Sequence, residues 1–383
     1  MGESLRGAVA HRRLVLDKVT RPRVECERQS VDAALCSTGR ANALGHSIEL
    51  NITQQQPRAK DLFLGIDLGG TKIVAGLVDR EGRIVSRQHS STQASKGREI
   101  VVRRLIDVAS QLLTAEGIDR KQVAAIGVAA PGPIDARSGV VTAPPNLPGW
   151  RDVPLGRLIQ DELGLSTSLE NDGNAAALGE HLFGAGRGAD HMIYVTASTG
   201  IGGGFILDGR LYRGSTGAAA EVGHMTILPH GPRCGCGNRG CLEALASGTA
   251  IAREARERVS RGAPTLIAEL AEGDLNRISA EMVSRAAEGG DAEANEILDQ
   301  AMIYLGVGMA NLVNLFNPRL LVIGGGLTKM GARLFDPVRR IVDRQAFPAA
   351  ASAVEITRAQ LGDDVGLLGA AAVAMTAIRE LSG

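Results

Sequence analysis

Apolar residues run almost unbroken through "LFLGIDL" (residues 62–68), stop at Gly69-Gly70, and resume in "KIVAGLVD" (residues 72–79). A short apolar run, a glycine pair and a second run rich in β-branched residues predict strand, tight turn and strand, and "DREG" opens a third strand at "RIV". Residues 98–115 carry apolar positions at helical spacing, in "IVVRRLIDVASQLL", and "VAAIGVAAPG" reads as a buried strand closed by Pro-Gly. The pattern then repeats. "MIYVTASTGIGGGFILDGRLYRG" is again strand, glycine turn, strand, and "RLLVIGGGL" is a strand ending in three glycines. Between them "NAAALGEHLFGAG" and "ANEILDQAMIYLGVGMANLVNLF" read as helices. Two strand-turn-strand openings, each followed by helices, predict an α/β protein of two related halves rather than one continuous sheet.

The first 60 residues differ in texture: they are Arg-rich, carry "QQQ" at 54–56, lack a clean apolar period and hold two isolated cysteines, Cys26 and Cys36. They read as an N-terminal extension. The chain opens with no apolar h-region before a small-residue cleavage site, and no run is long enough to span a bilayer, so a cytoplasmic protein without a membrane partner is expected. Lys plus Arg equal Asp plus Glu at 42 each, so net charge gives no general attraction to nucleic acid.

Composition sharpens the chemistry in two places. The chain has 49 glycines, and several stand in runs at the ends of apolar strands, at Gly69-Gly70, in "STGIGGG" (residues 198–204) and in "GGG" (residues 324–326). Such positions serve as ordinary hairpin turns, or they let backbone N–H groups approach phosphate oxygens, with Thr71 and Lys72 adding a hydroxyl and a charge at the first turn. The Walker A pattern is absent, since no Gly-Lys pair occurs. In "LENDGNAAALGEHL", Asn171 or Asp172 can cap a helix beginning near Asn174. A carboxylate at that junction of strand and helix can equally accept the proton of an attacking hydroxyl.

Three of the five cysteines, Cys234, Cys236 and Cys241, fall within eight residues. A bridge across the single residue between Cys234 and Cys236 is geometrically implausible, and a reducing compartment argues against disulfides. With one imidazole they form a Cys3His set suited to a tetrahedral structural zinc. His224 and His230 both stand close enough to supply the nitrogen, and spacing does not choose between them. Such a closed site shapes its surroundings rather than performing a reaction, and would gather Glu221, His224 and Glu243 as polar groups for sugar hydroxyls.

The ordered set "DLGGTK", "PGPID", "ENDGNAAALGE", "TGIGGG", "EVGH", "CGCGNRGCLE" and "VIGGGL" resembles the ROK family of sugar kinases and sugar-responsive regulators over residues 62–380, and within it the bacterial glucokinases. The resemblance implies the two-domain actin-like ATPase (ribonuclease H-like) fold, with nucleotide and sugar in the interdomain cleft. A smaller domain would cover residues 61–175, with a C-terminal helix from about residue 367 packing back on it, and a larger domain residues 176–366. The implied activity is transfer of the γ-phosphate of ATP, with Mg2+, to the 6-hydroxyl of a hexose. Glucose comes first, with N-acetylmannosamine, N-acetylglucosamine and mannose as alternatives and polyphosphate as an alternative donor.

Carried over by motif, Asp172 is the general base, and Asn146, Asn171, Glu221, His224 and Glu243 contact the sugar. Asp67, Gly69, Gly70, Thr71 and Lys72 form the first phosphate segment; Thr199, Gly200 and Gly202 form the second, and Gly324 and Gly325 border the nucleotide. The resemblance favours His224 over His230 as the zinc ligand beside Cys234, Cys236 and Cys241. It also implies a dimer or tetramer. A transcriptional regulator is the rival, but 60 N-terminal residues without a recognisable strand pair are thin for a winged DNA-binding module.

Overall fold

The computed structural model describes residues 61–144 and 146–382, so the expected extension over 1–60 lies outside the described residues. The first half contains β1 (Leu62–Leu68), β2 (Lys72–Asp79), β3 (Ile84–Ser91), α1 (Arg98–Ala115) and β4 (Val123–Ala130). A small pair, β5 (Ile134–Asp135) and β6 (Val140–Val141), then α2 (Leu155–Leu163) and β7 (Thr167–Asn171) complete it. The helix α3 (Asp172–Phe183) leads to β8 (Met192–Ala197), β9 (Ile201–Leu207) and β10 (Arg210–Leu211). A helical region follows, α4 (Leu242–Ala246), α5 (Gly248–Ser260), α6 (Leu266–Leu270), α7 (Ala280–Glu288) and α8 (Ala292–Phe316). The chain ends through β11 (Leu320–Gly324), α9 (Ala332–Gln345), α10 (Pro348–Ala353), β12 (Glu355–Arg358) and α11 (Val365–Ser382).

Two five-stranded sheets share one topology, β3-β2-β1-β4-β7 and β10-β9-β8-β11-β12. In each, the opening hairpin is antiparallel (β1 with β2, β8 with β9) and the first strand then pairs in parallel with the next long one (β1 with β4, β8 with β11). This duplicated arrangement is the actin-like ATPase (ribonuclease H-like) fold. The hairpins form because both strands are apolar along their length and a short glycine turn joins them, whereas the parallel pairs require intervening helices. α1 shows the complementary logic: Val101, Leu105, Val108, Ala109, Leu112 and Leu113 are buried, one stripe at helical spacing.

Each sheet has its own core on its outer face, and a third core lies between the sheets. Phe63 and Ala125 of the first sheet, Tyr194 and Val322 of the second, and the alanine-rich faces of α3 and α11 meet there. Both helices therefore lie between the sheets, which explains their small residues. At Gly127 on β4 an added Cβ would stand 1.8 Å from the carbonyl oxygen of Ala370 on α11, and at Gly179 on α3 it would stand 3.0 Å from the Cα of Gly369. Neither place admits a side chain without separating the layers, which costs about 1–3 kcal/mol or more.

The division expected at residues 175 and 176 falls inside α3, a helix that touches strands of both sheets. α11, which begins at Val365, packs on α3, β1 and β4. Among the described residues no helix is long and apolar enough to cross a membrane.

Candidate active site

A cleft of about 650 Å³ opens where the C-terminal ends of β1 and β11 meet the start of α3. Its walls include Asp67, Asp172, Gly173, Tyr194, Thr196, Gly324 to Gly326, Arg358 to Gln360, Gly362, Asp363, Val365 and Gly366. Gly69, Gly70 and Thr71 form the turn from β1 to β2, held by donation from Gly69 N–H to the Lys72 carbonyl (2.9 Å) and from the Thr92 hydroxyl to the Gly69 carbonyl (2.7 Å). Ser198, Thr199 and Gly200 form the matching turn from β8 to β9. Here the structure corrects one expectation. Gly202 to Gly204 are not in that turn but in β9, and a Cβ at Gly204 would lie 2.8 Å from the Gly173 carbonyl oxygen. Gly204 lets α3 rest directly on the strand, while a Cβ at Gly203 would meet the Tyr194 carbonyl oxygen (2.8 Å) and the Val222 side chain.

At the start of α3 the two roles open in the sequence divide between neighbours. Asn171 is the cap: its Oδ1 accepts from Gly173 N–H (2.9 Å) and Asn174 N–H (3.4 Å). Asp172 is the first helical residue, its Oδ1 accepting from Gly173 N–H at 2.8 Å, and its side chain faces open solvent in the cleft. The preceding Glu170 is buried and accepts from Asn174 Nδ2 (3.0 Å), Asn171 N–H (3.1 Å) and Arg213 Nε (2.7 Å). That ion pair ties the end of β7 to the segment that leads from β10 toward Glu221.

The cleft carboxylates are perturbed in a direction that suits proton transfer. The surrounding walls of protein raise the Asp172 carboxyl above its ordinary value, and Glu221 adds like charge; the Gly173 N–H opposes both. Water reaches Asp172 in the open cleft, so the full rise belongs to a cleft from which water is excluded. Desolvation and the charge of Asp172 push Asp67 up to about 6, against the lowering influence of Lys72. Tyr194 is pushed up to about 12, chiefly by burial, and stays a neutral hydroxyl in the cleft floor.

His224, Cys234, Cys236 and Cys241 converge, their ligand atoms all within 4.8 Å of one another. Cys234 Sγ lies 3.6 Å from His224 Nδ1, and Cys236 Sγ lies 3.7 Å from Cys241 Sγ. A tetrahedron with bonds of about 2.3 Å to sulfur and about 2.0–2.1 Å to nitrogen has edges of about 3.8 and 3.5 Å. The residues therefore fit a four-coordinate ion of that size. Backbone pairing builds the site: Thr226 bridges Cys241, and Cys234 N–H donates to Asn238 at 2.8 Å. His230, the competitor by spacing, is exposed and outside the cluster.

Glu243 connects this loop to the second turn. Its Oε2 accepts from Ile201 N–H at 3.0 Å and occupies the space beside Gly200, where a Cβ would come within 2.5 Å of it. Asn146 stands against Gly70, 3.3 Å from where a Cβ would be. Of the residues singled out in the sequence, Asp67, Asp172, Gly324 and Gly325 line the main cleft. Thr199 lines an adjoining cavity of about 570 Å³ bounded by α5, α7 and the segment after β11, and Lys72 is exposed at the edge of the first turn.

Sequence reasoning missed Thr196, Thr328, Arg358, Gln360 and Gly366 in the cleft, and Thr249, Arg256, Ser284 and Arg285 in the adjoining cavity. Ser198, Gly326 and Lys329 border both spaces. Only Thr328 and Lys329 carried a usable signal, since they stand just past the glycine run at 324–326, one residue beyond it. The duplicated fold, the paired turns and a cleft with a carboxylate at a helix start define a phosphotransferase-like ATPase architecture.

The ROK family profile matches residues 63–377, and the chain belongs to the ROK family. It is 39% identical to the glucokinase of Thermotoga maritima over 311 residues, 81% of this chain and 96% of that protein. The structure of a ROK glucokinase from Streptomyces griseus, in complex with glucose and AMPPNP, superposes with a TM-score of 0.70 at 38% identity, covering 82% of this chain and 99% of that one. The xylose repressor of Bacillus subtilis is 32% identical over 310 residues, 81% of this chain and 76% of the repressor.

Proposed function

We propose that the protein is an ATP-dependent hexose kinase acting on the 6-hydroxyl, with glucose as its sugar. The carrying observation is Asp172, an open carboxylate of raised proton affinity at the first turn of α3 that lines the same cleft as Asp67 and stands near enough to Glu221 and Asp67 for like charge to act among them. Phosphoryl transfer needs in-line positioning, charge neutralisation and a group to take the hydroxyl proton. Asp172 takes that proton. Asn146, Asn171, Glu221, His224 and Glu243 hold the sugar hydroxyls. Thr71, Lys72 and Thr199, with the bare backbone of Gly69, Gly70, Gly200, Gly324 and Gly325, receive the phosphates. The adjoining cavity takes the adenosine, with Arg256 and Arg285 on its rim.

The repelling pair Asp67 and Asp172 suits a site for Mg2+, held by Asp67 and the nucleotide's phosphates, where it neutralises their charge. Zinc is the ion whose bond lengths match the Cys3His spacing, on His224, Cys234, Cys236 and Cys241. All four positions of that tetrahedron are filled by protein, so the ion's role is structural, fixing the loop that carries Glu243 against the second turn. The three thiols and the lack of an apolar span among the described residues support a cytoplasmic location.

The kinship with xylose repressors supplies a second reading, a sugar-responsive regulator without turnover. A coupled ADP-release assay with MgATP on glucose, mannose, N-acetylglucosamine and N-acetylmannosamine separates them. Turnover with glucose preferred supports the kinase; a folded, zinc-loaded protein silent on every sugar refutes it.

A further inference from the structure

The chain passes from the first sheet to the second through α3 and returns from β12 through residues 359–364 into α11. Both passages border the cleft. Asp172 opens α3, while Arg358, Gln360, Asp363 and Gly366 form the opposite wall. Gly366 lies hard against Asp67, since a Cβ there would come within 2.2 Å of its Oδ2.

Glu180, eight residues into α3 from Asp172, is wholly buried and joins these two passages. Its Oε2 accepts from Ala185 N–H (2.8 Å) and Gln360 N–H (3.1 Å), and its Oε1 from Leu361 N–H (2.9 Å). Gly184 leaves space for the carboxylate, since a Cβ at that position would stand 2.1 Å from Oε2. The bond to Ala185 alone would finish the end of α3. The other two reach across the molecule to the wall. A buried carboxylate is costly unless every acceptor is used, and here backbone donors from both passages use it.

We propose that Glu180 is a positioning residue: it clamps the returning passage to α3 and thereby fixes the wall of residues 358–366 in register with Asp172 and Asp67. The proposal rests on the kinase reading for its kinetic consequence. Glu180→Gln keeps the shape but replaces one acceptor oxygen with an NH2 group that faces an N–H donor. Gly184→Ala keeps the carboxylate and displaces it.

The experiment combines steady-state kinetics with amide exchange on both variants. Expected is a kcat lower by about 10–100-fold, a raised KM for ATP, and a glucose KM within about two-fold of wild type. The amides of Gln360 and Leu361 should lose protection while β4 and β11 keep theirs. A merely structural glutamate would lower the folded fraction and leave the kinetic constants of folded protein unchanged, which overturns the proposal. So does wild-type kcat with those two amides exposed, or lowered kcat with them still protected. A wild-type protein without turnover defeats the kinase reading instead. The clamp is then judged by exchange and MgAMPPNP binding, upheld if the variants lose both and overturned if both are unchanged.

Discussion

Replacing Gly173 with alanine should damage catalysis far more than stability. Gly173 is the second residue of α3, and an alanine Cβ there would lie 2.5 Å from the Gly203 carbonyl oxygen on β9, where 3.4–4 Å is ordinary contact. The obstacle is backbone on both sides, so no rotamer relieves it, and the first turn of α3 must retreat from β9 by about 1 Å. Two effects on stability oppose each other: alanine gains at most about 1 kcal/mol over glycine in a helix, and the overlap costs about 1–3 kcal/mol. The net loss is about 0–3 kcal/mol, several degrees in Tm at most for a protein of this size. Asp172 rides on the same turn, and a displacement of about 1 Å at a reacting group lowers kcat by about 100-fold. ADP-release kinetics and a thermal melt on the same preparation measure both. Gly156→Ala in α2 is the comparison, because its nearest neighbour beyond the helix is 3.4 Å away, and it should keep wild-type kcat with equal or higher Tm. Wild-type kcat in Gly173→Ala would refute the claim that close packing of α3 on β9 positions the base.

The acid limb of the kcat profile, which reports the substrate-filled cleft, should lie above the ordinary carboxylate range, because burial and then Glu221 raise Asp172, and the base works only when deprotonated, so activity falls as pH drops through its pKa. Glu221→Gln removes the like charge and should move that limb to lower pH; an unmoved or rising limb contradicts the assignment. Elemental analysis should find about one zinc per chain, and stripping it with a chelator, or Cys236→Ser, should raise the glucose KM more than the ATP KM, since the loop holds Glu243. Metal-free protein with an unchanged glucose KM would count against the structural role.

Local features were readable in the sequence where neighbours along the chain also meet in space. The hairpins β1-β2 and β8-β9 announce themselves by apolar runs around glycine turns, and Cys234, Cys236 and Cys241 by their spacing. Even there the histidine needed the fold, because the pairing of Thr226 with Cys241 carries His224 into the cluster while His230 stays outside. Glycine was ambiguous. Gly69, Gly70 and Gly200 do sit in turns, but Gly204 serves helix packing, against Gly173, Asn174 and Ala177 of α3, which no local pattern reports. Glu180, Arg213, Arg256 and Arg358 were invisible for the same reason: each acts through contacts or a cavity that distant segments assemble.

The central claim is that Asp172 is the base of a glucose kinase, and Asp172→Asn tests it most directly. Glucose affinity by calorimetry and kcat with MgATP should be measured on wild type and variant together. Glucose affinity should stay within a few-fold of wild type while kcat falls by about 10²–10⁴-fold. A variant that turns over glucose at the wild-type rate would contradict the assignment of Asp172 as the base.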